Sequence, residues 1–411
     1  MSLAVADQAL FALSNFALNI LLARWLTPSE YGAFAVAFGI FLLVATTHQA
    51  VLIEPMMVFG AGRFTERFSA YAEAVLRGHF TFTGVVSAAL LVVAAIAAVT
   101  DHAGFASAML GLAVAAPFIL FQWLMRRACY VCSRLGHAVS AGAAYMLIVV
   151  PGAYLLYRAG ALSVFTAFAL TGAASLFTAS WLRWRLRLRD AGERFDFSQM
   201  LAAHWEYGRW ALGTGGLNWA NSNVLMLLMP IFLSLAAAGT FKAAINLIMP
   251  LWQTGAAVAT VLLPGLVRAR AEDRDGPLGT GVLAAGIVGG AVYAVGLLAF
   301  GDALARGLYG GQYDLGFPLL LWLAVLSFAT ASHLGIAVAL RALERPNLIF
   351  RGQVLATVVV LPLGLLLMLF FGVSGVLAAS AIAAVADTGY CWWLLQRGIA
   401  EDRVIGHRGH S

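Results

Sequence analysis

Charge is scarce in this chain. Acidic and basic residues together fill 11% of its 411 positions, and lysine occurs once, at Lys242. Soluble domains carry roughly a quarter charged residues, so a water-soluble globule is excluded. The net charge of +6 therefore does not point to nucleic acid, because the basic residues are scattered between apolar runs and form no basic face. Cysteine is scarcer still, with three in all. Cys129 and Cys132 form a lone CxxC without a second ligand pair, and Cys391 lies alone in another apolar run. His407 and His410 near the C-terminus also lack companion ligands. No disulfide framework, metal site or cofactor is expected from this pattern. The N-terminus has no basic region before its apolar stretch and carries Asp7 within it, so it reads as a retained span rather than a cleaved signal peptide. Alternating strand patterns are missing as well, which argues against a β-barrel.

What the chain has instead is 62% hydrophobic residues and a mean hydropathy of +0.88. A bilayer-crossing helix takes about 20 residues. Apolar runs and their polar interruptions predict twelve of them, the first at about 3–25, the seventh at about 207–230 and the last at about 375–395. Twelve spans leave loops too short for a soluble catalytic domain. With the N-terminus in the cytoplasm, 21 of the 25 basic residues fall on the inner side, and only Arg24, Arg158, Lys242 and Arg306 fall outside. The excess of Arg inside predicts a multi-pass protein with both termini cytoplasmic.

The longest inner loop carries Arg183, Arg185, Arg187 and Arg189 near the midpoint. It divides the chain into a six-helix lobe at 1–182, a linker at 183–206, a second six-helix lobe at 207–396 and a tail at 397–411. A constant offset of 207 aligns Thr27 with Ser234, Gly32 with Gly239, Phe34 with Phe241, Arg63 with Arg270, Glu66 with Asp273 and Arg67 with Arg274. Six is an even number, so the repeats run parallel, with their pseudo-axis along the membrane normal. The substrate path is then expected between the halves.

Polar groups at membrane depth are costly unless they face a cavity or a partner. In the first span Asp7, Ser14, Asn15 and Asn19 share a helical face, and the seventh span carries Asn218, Asn221, Ser222 and Asn223 after Gly213, Gly215 and Gly216. Two readings are open for these stripes: a hydrated cavity whose amides bind sugar hydroxyls, or interhelical hydrogen bonds that hold the bundle together. Arg24 and Lys242, with Arg209, are candidates for an anionic head group such as a diphosphate; for Arg24 and Lys242 the competing reading is snorkelling to the interface. Asp7 and Asp387 are candidate ion-coupling sites.

The stretch Asp7-Gln8-Ala9-Leu10-Phe11 through Ser14-Asn15-Phe16, then Leu22-Ala23-Arg24-Trp25-Leu26-Thr27-Pro28-Ser29-Glu30-Tyr31-Gly32-Ala33-Phe34, resembles the opening of polysaccharide and O-antigen flippases. These belong to the multidrug/oligosaccharidyl-lipid/polysaccharide exporter superfamily. Leu233-Ser234 followed by Ala238-Gly239-Thr240-Phe241 resembles its second-half echo. The resemblance implies two six-helix lobes around a cavity and transport of lipid-linked oligosaccharide by alternating access, without a cofactor. It places Arg24 at a recurring basic position and Asn15, Asn19, Asn218 and Asn221 in the cavity. The implied setting is the bacterial inner membrane and the export of a lipopolysaccharide or exopolysaccharide, alongside polymerase or export machinery. Twelve spans instead of fourteen separate the chain from the lipid II branch.

Two other functions fit the composition. A multidrug/cation antiporter of the same superfamily would want acidic and aromatic cavity residues, and the deep acids here are Asp7 and Asp387. A membrane polysaccharide polymerase or ligase would carry a large outer loop with catalytic Arg or His, whereas the longest outer segment, about 300–316, holds only Arg306, Asp302 and Asp314.

Overall fold

The computed structural model describes residues 2–188, 195–271, 275–343 and 346–408. The expectations placed on Arg189, Arg270, Asp273, Arg274, His407 and His410 lie outside the described residues and side chains. All regular structure among the described residues is helical: α1 (Ser2–Trp25), α2 (Pro28–His48), a π-helical turn (Gln49–Ile53), α3 (Glu54–Ala61), α4 (Phe68–Val99), α5 (Ala103–Val131), α6 (Leu135–Arg158), α7 (Val164–Leu186), α8 (Phe197–Phe232), α9 (Leu235–Asn246), α10 (Met249–Ala271), α11 (Asp275–Tyr309), α12 (Phe317–Ala342) and α13 (Pro346–Arg408).

Nine of the described stretches are long and apolar enough to cross a membrane, and a tenth arises if α9 and the start of α10, bent by 41°, act as one. The stretch 347–397 within α13 is 51 residues long, which at 1.5 Å per residue is about 77 Å, more than two bilayer cores. It bends back at Gly372, whose φ of 57° and ψ of −135° suit a residue without Cβ. Side chains of the spans point apolar groups outward: Val85, Leu147, Phe300 and Phe370 are 68%, 73%, 70% and 74% exposed. In water such a surface would drive aggregation; in lipid it needs no cover. The protein is a multi-pass membrane protein.

Two compact units divide the chain, Met1–Leu227 and Leu228–Ser411. In the first, α5 and α7 make the most extensive contact, because small residues let their backbones meet. A Cβ on Gly172 would come within 2.9 Å of Ala115 Cα, and one on Gly111 within 3.1 Å of Phe165 Cα. Small residues at helix interfaces serve this purpose in membranes, where burial away from water no longer drives association. In the second unit α12 is central, packed by α10, α11 and α13. Gly286 and Gly290 of α11 meet the α12 backbone at Ala331 and Phe328, and Gly335 of α12 meets Val282 in return.

The Thr-Pro-Ser-Glu motif has a local cause. Thr27 caps α2 by accepting from the Glu30 backbone N–H, Glu30 returns a carboxylate to the Thr27 N–H at 2.9 Å, and Pro28 takes the first helical position. This is a capping box with proline where its missing N–H costs nothing. Ser234, at the offset of 207, caps α9 by accepting from the Ala237 N–H. Phe34 and Phe241 that follow are both buried, at 3% and 7% exposure.

Candidate functional site

The sequence of α8 breaks the apolar rule, and α8 is not among the candidate spans. Its third and fourth turns read Trp205-Glu206-Tyr207-Gly208-Arg209-Trp210. Contacts within the first unit hold it against α2 and the π-helical turn. His204 donates from Nδ1 to the Val51 carbonyl at 2.9 Å, an assignment fixed by the carbonyl being acceptor only. His204 Nε2 is thereby the acceptor for the Tyr71 hydroxyl of α4. The π-turn shifts the backbone pairing by one residue, and the Val51 carbonyl within it accepts from His204. Higher up, Gly208 lies against Ala50 and Val51, where a Cβ would come within 2.7 Å of the Ala50 carbonyl oxygen. Trp219 then donates from Nε1 to the Gly39 carbonyl at 2.9 Å.

With α8 held in this way, a second face of it between Ala203 and Thr214 stays open beside α3. The resulting cleft of about 710 Å³ is lined by Phe59, Arg63, Ala203, Glu206, Tyr207, Trp210, Ala211 and Thr214. Trp210 is 73% exposed, and Phe59 stands edge-on to Tyr207 at 5.9 Å. The Arg63 guanidinium rests 5.0 Å from the Phe59 ring centre and 4.7 Å from that of Phe64. Volumes of 300–1,000 Å³ are those of ligand pockets. One guanidinium, one carboxylate, two hydroxyls and three aromatic rings offer an anion contact, hydroxyl contacts and flat apolar surfaces in one place. Just before α8, Asp196 accepts from the Ser198 hydroxyl and backbone N–H, which holds its carboxyl below the usual range.

The polar stripe of α1 is distributed otherwise. Asp7, 1% exposed, accepts from Arg126 of α5 at 2.8 and 3.2 Å and from the Tyr130 hydroxyl at 2.8 Å. The Arg126 guanidinium also covers the Phe11 ring at 4.2 Å. Ser14 and Asn15 donate back to the carbonyls of Leu10 and Phe11. Asn19 donates to the Asn15 carbonyl, and its side-chain oxygen accepts from Tyr31 at 3.4 Å. Arg24 is exposed at the end of α1. On α8, Asn223 is buried and donates to Trp219, whereas Asn218 is exposed and Asn221 half-buried. Lys242, in the second unit, is half-buried on α9. Asp387 lies on α13 in the same unit, beside His333 of α12 at 3.3 Å and Cys391 at 3.4 Å.

Sequence reasoning passed over Phe59, Glu206, Tyr207 and Trp210 as site residues, and it took Arg209 as a head-group candidate. The aromatic run with interleaved charges at 205–210 was the available signal. It also passed over His333, an ionisable residue in an otherwise apolar run, and Arg126, which was counted only as a topology marker. Helix depth places Arg126 opposite Asp7, and no spacing rule within one helix could show that.

The elements so far describe a membrane protein of packed apolar helices with polar groups confined to a few clusters, a transporter-like architecture. The fold is shared with known transporters. An inward-facing multidrug resistance MATE family transporter of the MOP superfamily superposes with a TM-score of 0.79 at 12% identity, covering 97% of this chain and 99% of that one. The lipid II flippase MurJ, inward closed, gives 0.72 at 11% identity over 96% and 87%. A sequence relative, the probable low-salt glycan biosynthesis flippase of Haloferax volcanii, is 30% identical over 93 residues, 23% of this chain. The chain spans only 20% of that relative's length in the match. The family model described as polysaccharide biosynthesis protein matches residues 21–276, well over half of the chain. The chain belongs to this polysaccharide biosynthesis protein family.

Proposed function

We propose that this protein carries a polyprenyl-diphosphate-linked oligosaccharide from the inner to the outer leaflet for surface polysaccharide export. The observation that carries the reading is the cleft of Phe59, Arg63, Glu206, Tyr207, Trp210 and Thr214 in a chain of the polysaccharide biosynthesis family with a transporter fold. Aromatic faces stack on the apolar faces of sugar rings, while Glu206 and Thr214 suit hydroxyls and Arg63 suits a diphosphate. Passing the polar head through protein avoids burying a charged, hydroxyl-rich group in hydrocarbon.

The transport unit in this proposal is a pair of six-helix lobes, 1–182 and 207–396, joined by 183–206 and working by alternating access. The count of twelve draws on the nine candidate spans, the bent pair α9 and α10, the polar helix α8, and the division of α13 at Gly372. The shared capping of α2 and α9 supports a parallel repeat. Both termini and the Arg63 cleft face the cytoplasm in a bacterial inner membrane, where the lipid-linked substrate is made. Arg24, Asn15, Asn19, Asn218, Asn221 and Lys242 are proposed as contacts of the head group at successive stages of its passage, and Asp7 and Asp387 as coupling candidates. A polymerase or export complex would receive the product.

Reconstitution into proteoliposomes with lipid-linked oligosaccharide, followed by leaflet-resolved enzymatic digestion, tests the reading. Transfer that depends on the protein supports it. Transfer equal to empty liposomes, together with efflux of a cationic dye such as ethidium, would favour the antiporter instead.

A further inference from the structure

The second unit contains a group of side chains of which the glycan reading takes up only Asp387, as a coupling candidate. His333 of α12 and Asp387 and Cys391 of α13 offer one nitrogen, carboxylate oxygens and one sulfur, all within 4.8 Å of one another. We propose that these three residues form a binding site for a divalent transition-metal ion of zinc-like softness. The proposal is independent of the glycan reading.

The distances carry the argument. Ligand bonds to zinc are about 2.0–2.1 Å to nitrogen and oxygen and about 2.3 Å to sulfur, arranged tetrahedrally, so neighbouring ligand atoms stand about 3.3–3.5 Å apart. His333 Nδ1 lies 3.3 Å from Asp387 Oδ2, and Cys391 Sγ lies 3.4 Å from the other carboxylate oxygen, Oδ1. With one ligand atom taken from each residue, all three lie within 4.8 Å of one another, and side-chain rotation brings them to the tetrahedral spacing.

Two further observations point to a ligand rather than to a polar contact. His333 Nδ1 is buried and has no hydrogen-bond partner despite its closeness to the carboxylate, the arrangement of two groups sharing something between them. Across from the cluster, α13 places Gly352, where any Cβ would overlap Asp387 Oδ1 and stand 2.6 Å from Cys391 Sγ. The glycine keeps open the space the donors occupy. Thr388 fixes the pitch of α13 on α12 by donating to the Ala329 carbonyl at 3.1 Å.

Chemistry selects the ion. A thiolate with an imidazole favours borderline-soft metals over sodium, magnesium or calcium, which take oxygen ligands. A divalent ion with the Asp387 carboxylate and the Cys391 thiolate is also neutral in sum, whereas either anion alone at this depth would be costly. Cys391 gives its proton to solvent on binding. The three ligands leave a fourth position, and His333 also lines a cavity of about 340 Å³ with Thr330, Leu334, Gly286 and Gly290. Spacing supports the design: Asp387 and Cys391 are four residues apart on one helical face.

The test uses the full chain in detergent, stripped with EDTA and titrated with Co²⁺ as a spectroscopic stand-in. The expected result is a thiolate-to-metal charge-transfer band in the near ultraviolet that saturates at one ion per chain and is displaced by Zn²⁺ but not by Mg²⁺ or Na⁺. Cys391→Ser removes the band, His333→Gln weakens Co²⁺ binding at least tenfold, and Cys129→Ser/Cys132→Ser keeps both. Melting temperatures in EDTA show that each variant folds. No band in a folded wild-type protein, a band that survives Cys391→Ser, or displacement by Mg²⁺ would overturn the proposal.

Discussion

Asp7 and Arg126 lie deep in the first unit, with side chains 1% and 11% exposed. The carboxylate accepts two bonds from the guanidinium and one from Tyr130. Asp7→Asn keeps the volume and removes the charge. It leaves Arg126 as a buried cation whose remaining contacts are the backbone carbonyl of residue 7, an uncharged amide and the Phe11 ring. Removing one partner of a buried ion pair costs about 3–5 kcal/mol, because the other charge is stranded. Replacing both, as in Asp7→Leu/Arg126→Met, removes the desolvation penalty of both ions and is expected to return stability to within about 1–2 kcal/mol of wild type. Reversible unfolding in mixed micelles, read by tryptophan fluorescence, measures both variants. A loss in the single variant with recovery in the double supports a pair that ties α1 to α5. If Asp7→Asn left stability unchanged but abolished ion-driven transport, the pair would not be structural and Asp7 would be the coupling site. A double variant as unstable as the single would contradict the desolvation argument itself.

Other perturbations separate the cleft from the scaffold. Trp210→Ala, at an exposed position, is expected to change stability by no more than about 0.5 kcal/mol while lowering glycan transfer several-fold in proteoliposomes; equal transfer would remove Trp210 from the site. His204→Leu leaves the Val51 carbonyl and the Tyr71 hydroxyl without their partner, at a cost of about 1–3 kcal/mol in the same unfolding assay, and Tyr71→Phe alone should cost less. Thr27→Ala removes the cap of α2 and should cost about 1 kcal/mol, with transport retained at temperatures well below the melting point.

Most of the architecture was legible because the bilayer imposes a simple rule. A long apolar run must be a helix, since lipid satisfies no backbone group, and α5, α6, α7 and α12 fall close to the stretches that hydropathy predicts, about 104–124, 138–157, 160–182 and 317–340, whereas α4 begins at Phe68, well before the predicted start at about 80. Thr27-Pro28-Ser29-Glu30 stood out in the sequence as part of the opening motif, and its structural meaning, a helix cap, explains why another capping residue, Ser234, stands at the offset of 207. Hydropathy misread α8 as a plain span beginning at 207; the helix begins ten residues earlier, at Phe197, because Asp196 starts it and His204 and Gly208 fasten it to the π-helical turn. That π-turn has no signature in the sequence, so neither the His204 contact with the Val51 carbonyl nor the cleft could be foreseen. Polar residues were found easily but not their partners. Asp7 meets a residue 119 positions away, and Cys391, alone in sequence, meets His333 from another helix. Helix periodicity reports which face a residue occupies; only packing reports what that face touches.

The central claim is movement of a lipid-linked glycan across the bilayer, and leaflet-resolved digestion of such a substrate in proteoliposomes measures it most directly. With wild-type protein, substrate protected in one leaflet should become accessible in the other, and Arg63→Ala/Trp210→Ala should slow this transfer while the protein remains folded. Wild-type protein that leaves the leaflet distribution where empty liposomes leave it would contradict the account.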